Sequence, residues 1–557
     1  MVLEDVKTAP GMSSARDGSA RRTALIGLDG ATFRILDPLV AAGVMPALAA
    51  LQERGVRAIL RSTTPTYTPP AWVSMATGVN PGRHGVFGFL SSTPQERPQI
   101  AHSGLIGAPC MWDYLGEFGV RSGVFNVPMS YPPVAVEGFM IAGGLAAGWT
   151  NPEMPNFASD VDTARLVTDV AGGSYPLDTI VSYERDWRST VVASRIEDIQ
   201  SMRRRVLGAL LERTDPEVVF AVFEGPDRLQ HLHYQYIVES SDWYGRPEAS
   251  LFRDAAVSYF AEVDKAIAEL AAWAGTTGNV MVVSDHGFGP WEKTLNLNLL
   301  LESWGYLRLP AVSRLTRSGV VAGAGQQIAR RVVPRKLLHA LKAQVGRGIS
   351  WPETKAFASH VAEQGIHVNA TGDVPEGVLD ERAAEVVEAE ILERLAELVD
   401  PDDGLQVVDR TERRADVLWG DHARRAPRLF PFCRDQRYEL SDTVAAGSPL
   451  TDHRDRPWGY HHIDGIFVAA GPDIATGARE ELRIVDVLPT VFHVAGLPVP
   501  SGLDGRVASH VLGGKAASTT VQSRAMAVSR EQGDEYPFSA EEESAIEDSL
   551  RGLGYIE

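Results

Sequence analysis

Val282-Val283-Ser284-Asp285-His286-Gly287 is an apolar run that releases an aspartate and a histidine side by side ahead of a glycine turn. Two metal-ligand residue types at the end of one strand make half a site. Three further segments supply the same types in similar settings. Thr23 to Leu28 is a short apolar run ending in Asp29-Gly30. Val218 to Phe223 is another, and Asp227 and His231 follow it. Gly459-Tyr460-His461-His462 stands just before the apolar run Ile466 to Ala470. Singly, each has an ordinary reading: Asp-Gly after a strand is more often a turn, Asp285-His286 reads as a strand-end cap, and an Asp and a His four apart also make a surface pair. Their recurrence at the ends of strand-like runs is what an open α/β sheet produces, because such sheets gather their sites at the carboxyl edge.

The composition suits that architecture. In 557 residues, 44% hydrophobic and 22% charged content describe a globular chain with a large core. The balance of 53 basic against 72 acidic residues, net −19, argues against a nucleic-acid polymer as partner. Cys110 and Cys433 stand far apart and outside any CxxC pattern, which supports neither a disulfide framework nor a thiolate metal cluster and fits a reducing compartment. Residues 1–22 carry Arg16, Arg21 and Arg22 without an apolar leader core, and no segment offers the roughly 18 apolar residues of a membrane span. These features predict a cytoplasmic protein with no membrane contact and a disordered tail over 1–22.

Along the chain, Thr23 to Leu28 is expected as a buried strand, Pro38 to Gly55 as the following helix, and Val56 to Leu60 as a strand reached by a right-handed crossover. Residues 62–85, rich in Thr, Pro and Gly, predict a loop leading into a short helix from Pro70 to Thr77. Ser122 to Val127, 218–223 and 279–284 read as strands, and 191–213 and 251–273 as helices. Strand and helix alternate, so the fold class is α/β: a doubly wound, mainly parallel sheet with helices on both faces. Weak periodicity at 145–190 and 300–450 marks two insertions within one domain over 23–557, expected to cap the site. The second holds a basic stretch at 313–349, a strand-like Gly365 to Asn369 and an amphipathic helix from Glu381 to Val399. The core resumes at Gly465 and continues through a helix from Ile484 to Ala495, and an acidic helix from Ser539 to Leu553 ends it.

A nucleophile is available in Pro65-Thr66-Tyr67-Thr68-Pro69-Pro70. A threonine just ahead of a helix start places its hydroxyl near backbone N–H groups, which suits attack on an anionic phosphoryl group. A plain N-cap is the other reading of Thr68, and Thr63, Thr64 and Thr66 compete on composition alone. With proline at the first helical position, free N–H donors one and two residues further on would point back at a phosphoryl oxygen.

Asp29, the Thr-Pro-Pro-Ala-Trp segment with its trailing Thr77-Gly78-Val79-Asn80-Pro81-Gly82-Arg83-His84-Gly85, the Asp227/His231 pair, Ser284-Asp285-His286-Gly287 and Gly459-Tyr460-His461 together resemble the alkaline phosphatase superfamily. More narrowly they resemble its type I phosphodiesterase/nucleotide pyrophosphatase branch. The likeness runs in order from about residue 23 through Asp486-Val487-Leu488-Pro489-Thr490 to the terminal Leu550-Arg551-Gly552-Leu553-Gly554-Tyr555.

The resemblance implies two divalent metal ions, usually zinc, on a doubly wound sheet. Asp29, Thr68, Asp285 and His286 would serve one metal, and Asp227, His231 and His461 the other. His462 is the neighbouring alternative to His461, His453 is read as a loop residue and His84 as structural. Oxygen and imidazole ligands suit Zn²⁺ or Mn²⁺, and two such ions about 4 Å apart stabilise the entering and leaving oxygens of an in-line displacement. Thr68 would then be the nucleophile and a phosphothreonine the intermediate. One position departs from the branch, where an asparagine commonly stands three residues after the nucleophile: here it is Ala71. Trp72 beside it is either core or a pocket wall.

The expected activity is hydrolysis of a small-molecule phosphodiester or nucleotide pyrophosphate-type bond. The alternatives on the same site are a phosphomonoesterase or a phosphoryl transferase or mutase. A sulfatase is disfavoured because Cys110 lies in Ala-Pro-Cys-Met-Trp. An inactive binding or regulatory protein of this fold is the alternative from another class, and against it all seven ligand positions carry metal-competent residues.

Overall fold

Val218–Phe223 and Asn279–Val283 are short, β-branched or aromatic runs with no polar face, as strands covered on both sides must be. In a computed structural model that describes residues 20–90, 99–144, 156–177, 186–309, 349–444, 447–530 and 536–552, they lie inside a nine-stranded sheet. Its strands include β1 (Thr23–Leu28), β2 (Val56–Arg61), β3 (Ser122–Pro128), β4 (Gly138–Gly143), β5 (Val218–Phe223) and β6 (Asn279–Val283). From one edge the order is Gly477–Ala478, β2, Asp464–Ala470, β6, β1, β5, β3, β4, with Leu482–Arg483 also on β2. Pairings of β1 with β5 and β6, and of β3 with β4 and β5, are parallel. Asp464–Ala470 alone runs antiparallel, between β2 and β6. The fold is thus α/β with a mostly parallel sheet.

That one reversed strand positions the site. Asp29, Asp227 and Asp285 all follow the carboxyl ends of parallel strands, whereas an antiparallel strand begins at that edge, so a residue just before it arrives at the same place. His461 does so. The register brings the ends level, since Gly27 pairs with Val283 and Asp29 and Asp285 each stand two residues beyond that pair.

Several elements differ from expectation. The helix expected over Pro38 to Gly55 is two helices, α1 (Phe33–Ala41) and α2 (Pro46–Arg54), set at 101°. Gly43 takes a left-handed φ of 73° and ends the first, and Pro46 opens the second at a first-turn position that needs no N–H. The crossover does not bring β2 beside β1, because two strands lie between them. β4 was not anticipated: Gly-Phe-Met-Ile-Ala-Gly gives neither alternation nor a β-branched run. Within 145–190, Val161–Ala171 is a helix capped by Asp160 and packed on the helix Val191–Thr214; 145–155 and 178–185 lie outside the described residues. In the second region a separate apolar core gathers Leu301, Phe357, Ile366, Ile391 and Leu395 around the helix Glu381–Ala396. The strand-like stretch there shortens to His367–Val368, paired with Ala356–Phe357, and the basic stretch up to 348 lies outside the described residues, as do 553–557.

Of the expected tail, 1–19 lie outside the described residues, but the chain is anchored from residue 20. Ala20 N donates to Glu217 Oε1 at 2.9 Å and Arg21 N to Ala495 O at 3.0 Å. Among the described residues no single helix is long and apolar enough to cross a membrane.

Candidate metal centre and nucleophile

Asp29, Asp227, His231, Asp285, His286 and His461 come together at the carboxyl edge of the sheet, each no more than 1% exposed. Asp227, His231 and His461 converge so that one ligand atom from each lies within 4.8 Å of the others, and so do Asp29, Asp227 and His286. Asp227 therefore reaches both groups, where the resemblance assigned it to one. Asp285 stands slightly apart: its Oδ1 accepts from Gly30 N at 3.1 Å, and its Oδ2 faces His286 Nε2 at 3.3 Å.

The hydrogen bonds fix which ring nitrogens face the centre. His231 Nδ1 lies 3.2 Å from Gly459 O and His286 Nδ1 lies 3.1 Å from Gly287 O. A carbonyl only accepts, so in the neutral rings Nδ1 carries the proton and Nε2 presents a lone pair. Those lone pairs meet carboxylate oxygens: His231 Nε2 is 3.2 Å from Asp227 Oδ1, and His286 Nε2 is 3.7 Å from Asp29 Oδ1. Among the described residues, Asp29 Oδ1 and Asp285 Oδ2 are buried with no hydrogen-bond donor. Acceptors packed against acceptors out of water repel, and divalent cations among them remove the conflict. The residues present thus fit metal ions.

The proton affinities agree. Burial, then the neighbouring carboxylates, pushes Asp29 well above the usual carboxylate range, and burial does the same to Asp285. Burial would raise Asp227 too, but His231 and His461, when their Nε2 atoms carry protons and donate to it, together with Arg228, outweigh it and hold this carboxyl well below that range; a metal ion would take the place of those Nε2 protons. Burial keeps His286 neutral and depresses His461 to about 4. Neutral imidazoles are the form that binds a metal.

Thr68 opens the helix Thr68–Thr77, and its Oγ1 is 3.4 Å from His286 Nε2. Its competitors are turned elsewhere: Thr63 Oγ1 donates to Pro65 O, Thr64 Oγ1 to Glu412 Oε2 and Thr66 Oγ1 to Thr63 O. The two backbone donors expected beyond the first proline are not offered to a ligand. Pro70 has no N–H, and the Ala71 N–H is spent on Tyr67 O at 3.1 Å.

His462, one residue on along its strand, faces the other way and meets Asp435 at 3.3 Å. His453 bonds Thr294 at 2.9 Å. His84 Nε2 bonds Ser74 Oγ at 2.9 Å while its Nδ1 accepts from Val86 N, which ties the glycine turn to the helix.

Two residues that hold the carboxylates were not singled out for that role. Trp72, fully buried, donates from Nε1 to Asp29 Oδ2 at 3.2 Å, and its ring lies over Gly27, where any Cβ would collide with it. Arg228 NH1 donates to Asp227 Oδ2 at 2.7 Å. Adjacency to Asp227 was the only sign of the second, and nothing in composition separates that from a surface cation. Trp72→Phe keeps an aromatic ring in the core but removes the donor from Asp29. It should weaken metal retention about 10- to 100-fold, read as metal content after dialysis against a graded chelator; unchanged retention would remove Trp72 from the site's support.

A family model described as Type I phosphodiesterase / nucleotide pyrophosphatase matches residues 23–430. No curated protein matches the chain. Among solved structures, phosphonoacetate hydrolase from Sinorhizobium meliloti 1021 in complex with phosphonoformate aligns at 18% identity and a TM-score of 0.51, over 86% of this chain and 95% of that one. The same hydrolase in complex with phosphonoacetate aligns at 17% identity, with the same TM-score and coverage. At that identity the likeness speaks for the fold.

Proposed function

The chain belongs to the type I phosphodiesterase/nucleotide pyrophosphatase family and so is a metal-dependent hydrolase of small phosphate esters, and from that premise we propose that it cleaves phosphodiester or nucleotide pyrophosphate-type bonds with Thr68 as nucleophile. Asp29, Asp285, His286 and Thr68 would hold one divalent ion and Asp227, His231 and His461 the other, zinc or manganese by donor type. The observation that carries the reading is the Thr68 hydroxyl, 3.4 Å from His286 Nε2 beside an acceptor-rich buried cluster. When bound, the two ions would supply Lewis-acid stabilisation of entering and leaving oxygens.

The chain's own residues do the rest. Thr68 Oγ1 gives up its proton to solvent and forms a bond to phosphorus as the ester P–O bond breaks; the departing alkoxide takes up a proton and leaves as the alcohol, and Thr68 is left as a phosphothreonine. Water then attacks the same phosphorus and restores the hydroxyl, so two in-line displacements retain configuration. His231 Nδ1 and His286 Nδ1 keep their protons and donate them to the carbonyls of Gly459 and Gly287, which keeps each ring oriented with Nε2 toward the centre. Two buried cysteines, both free thiols, support a cytoplasmic setting.

The diester preference follows from charge and donors. Asp29, Asp227 and Asp285 gather around His286, whose Nε2 lies beside the Thr68 hydroxyl, Ala71 brings no amide side chain, and Pro69 and Pro70 bring no N–H. A diester carries one negative charge and a monoester nearly two, so the monoester asks more of a site with few donors. Catalytic efficiency on bis(p-nitrophenyl) phosphate should exceed that on p-nitrophenyl phosphate. The reverse ranking would move the protein to the phosphomonoesterase alternative.

A further inference from the structure

Gln364 is a residue in the left-handed region, with φ of 48°, where a non-glycine side chain is costly and persists only when its surroundings hold it. It belongs to the second region, far in sequence from the centre. Its amide nonetheless reaches the site. Oε1 accepts from Thr66 N at 2.9 Å, two residues ahead of Thr68. The same side chain borders, together with Tyr460, the residue before His461, one cavity beside Thr64 and Pro65. Tyr460 in turn shares a 2.8 Å hydrogen bond with Tyr67 Oη, and the Tyr67 ring packs edge-on against His461 with centroids 4.8 Å apart.

The segment that carries Gln364 is itself pinned. Asn298 makes two bonds to Ala358, donating to its O at 2.9 Å and accepting from its N at 2.7 Å. Glu363, buried, accepts from Ser359 and from His367 Nε2. Ala362 fits against Gly88, where a Cβ on the glycine would collide with it. Thr64 Oγ1 adds a second tie from the nucleophile's turn to this region through Glu412 Oε2 at 2.8 Å. A pinned segment therefore holds an amide oxygen on the turn ahead of the nucleophile, and Tyr67 in that turn carries the contact on to Tyr460 and His461.

We infer that Gln364 is a positioning residue, which holds the turn bearing Thr68 in fixed register with the strand end bearing His461. It touches neither the phosphoryl group nor the metal ligands directly. A displacement of the order of an ångström at a nucleophile costs about 100-fold in rate, which is the leverage such a residue has. The inference rests on the proposed role of Thr68, but the contact itself can be read without any activity.

The test compares Gln364→Leu, which loses the bond from Thr66 N, with Gln364→Glu, which keeps an acceptor for it. Hydrogen exchange of the peptide spanning 62–68 reads the latch. In the leucine variant the Thr66 amide should exchange at least about tenfold faster, whereas the glutamate variant should stay close to wild type. Turnover of bis(p-nitrophenyl) phosphate reads the consequence: kcat should fall about 10- to 100-fold in the leucine variant with KM little changed, metal content should hold, and glutamate should restore most of the loss. Unchanged exchange in Gln364→Leu would overturn the inference. So would faster exchange with kcat intact, or a fall in kcat explained by lost metal. If wild type turns over no phosphate ester while exchange responds as expected, the functional reading fails and the contact stands.

Discussion

Thr68→Ala should abolish turnover while the metal ions stay bound. Asp29 and Asp285 still face His286 Nε2, at 3.7 and 3.3 Å, without the hydroxyl, since these residues follow two other strand ends. Removing an activated nucleophile commonly costs several orders of magnitude. A loss smaller than about tenfold would point to direct attack by water instead. Acid quenching during turnover followed by peptide mapping decides between the routes, because a covalent path leaves phosphate on Thr68. An adduct on Thr66, or none on any residue despite rapid turnover, would remove Thr68 from the role. Thr66 is the informative control: its hydroxyl is committed to Thr63 O at 2.9 Å, so Thr66→Val should perturb the turn without acquiring or losing an adduct.

What the sequence made legible divides along physical lines. β1, β5 and β6 are continuous apolar runs ending in polar residues, and a buried parallel strand has no other way to look, so their bounds match to within a residue. The residues that follow them, Asp29, Asp227 and Asp285-His286, were visible for the same reason. Strand order was not legible: the insertion of Asp464–Ala470 between β2 and β6 is decided by packing among distant segments. The break between α1 and α2 was written in Gly43 and Pro46, but the apolar spacing of Leu39, Leu48 and Leu51 suggested continuity. Least legible were the supports. Trp72 reads as core and is core, and its hydrogen bond to Asp29 depends on where β1 passes beneath it. Gln364 lies nearly 300 residues from Thr66, in a region whose periodicity gave no site signal.

The purified protein should carry about two transition-metal ions per chain, and His461→Ala should lower that toward one. His461 contributes to the Asp227, His231 and His461 group alone, so its loss leaves the Asp29, Asp227 and His286 group with its donors. Asp227 differs, because it belongs to both groups and also receives the Arg228 guanidinium. Asp227→Ala should therefore lower occupancy further than His461→Ala. It should also destabilise the fold, since the Arg228 side chain is only 8% exposed and would lose its carboxylate partner; breaking one side of a buried ion pair costs about 3–5 kcal/mol. Asp227→Asn separates the two effects: it keeps an oxygen that can accept from Arg228 while removing the charge a divalent ion needs. The asparagine variant should then unfold at a temperature closer to wild type than the alanine variant does, yet still lose metal. Elemental analysis of all three variants after exhaustive dialysis gives the answer. Full two-metal occupancy in both Asp227→Ala and His461→Ala would sink the ligand assignment. Equal loss in both, with no difference in thermal stability between alanine and asparagine at 227, would instead show that Asp227 serves one ion and that Arg228 does not depend on it.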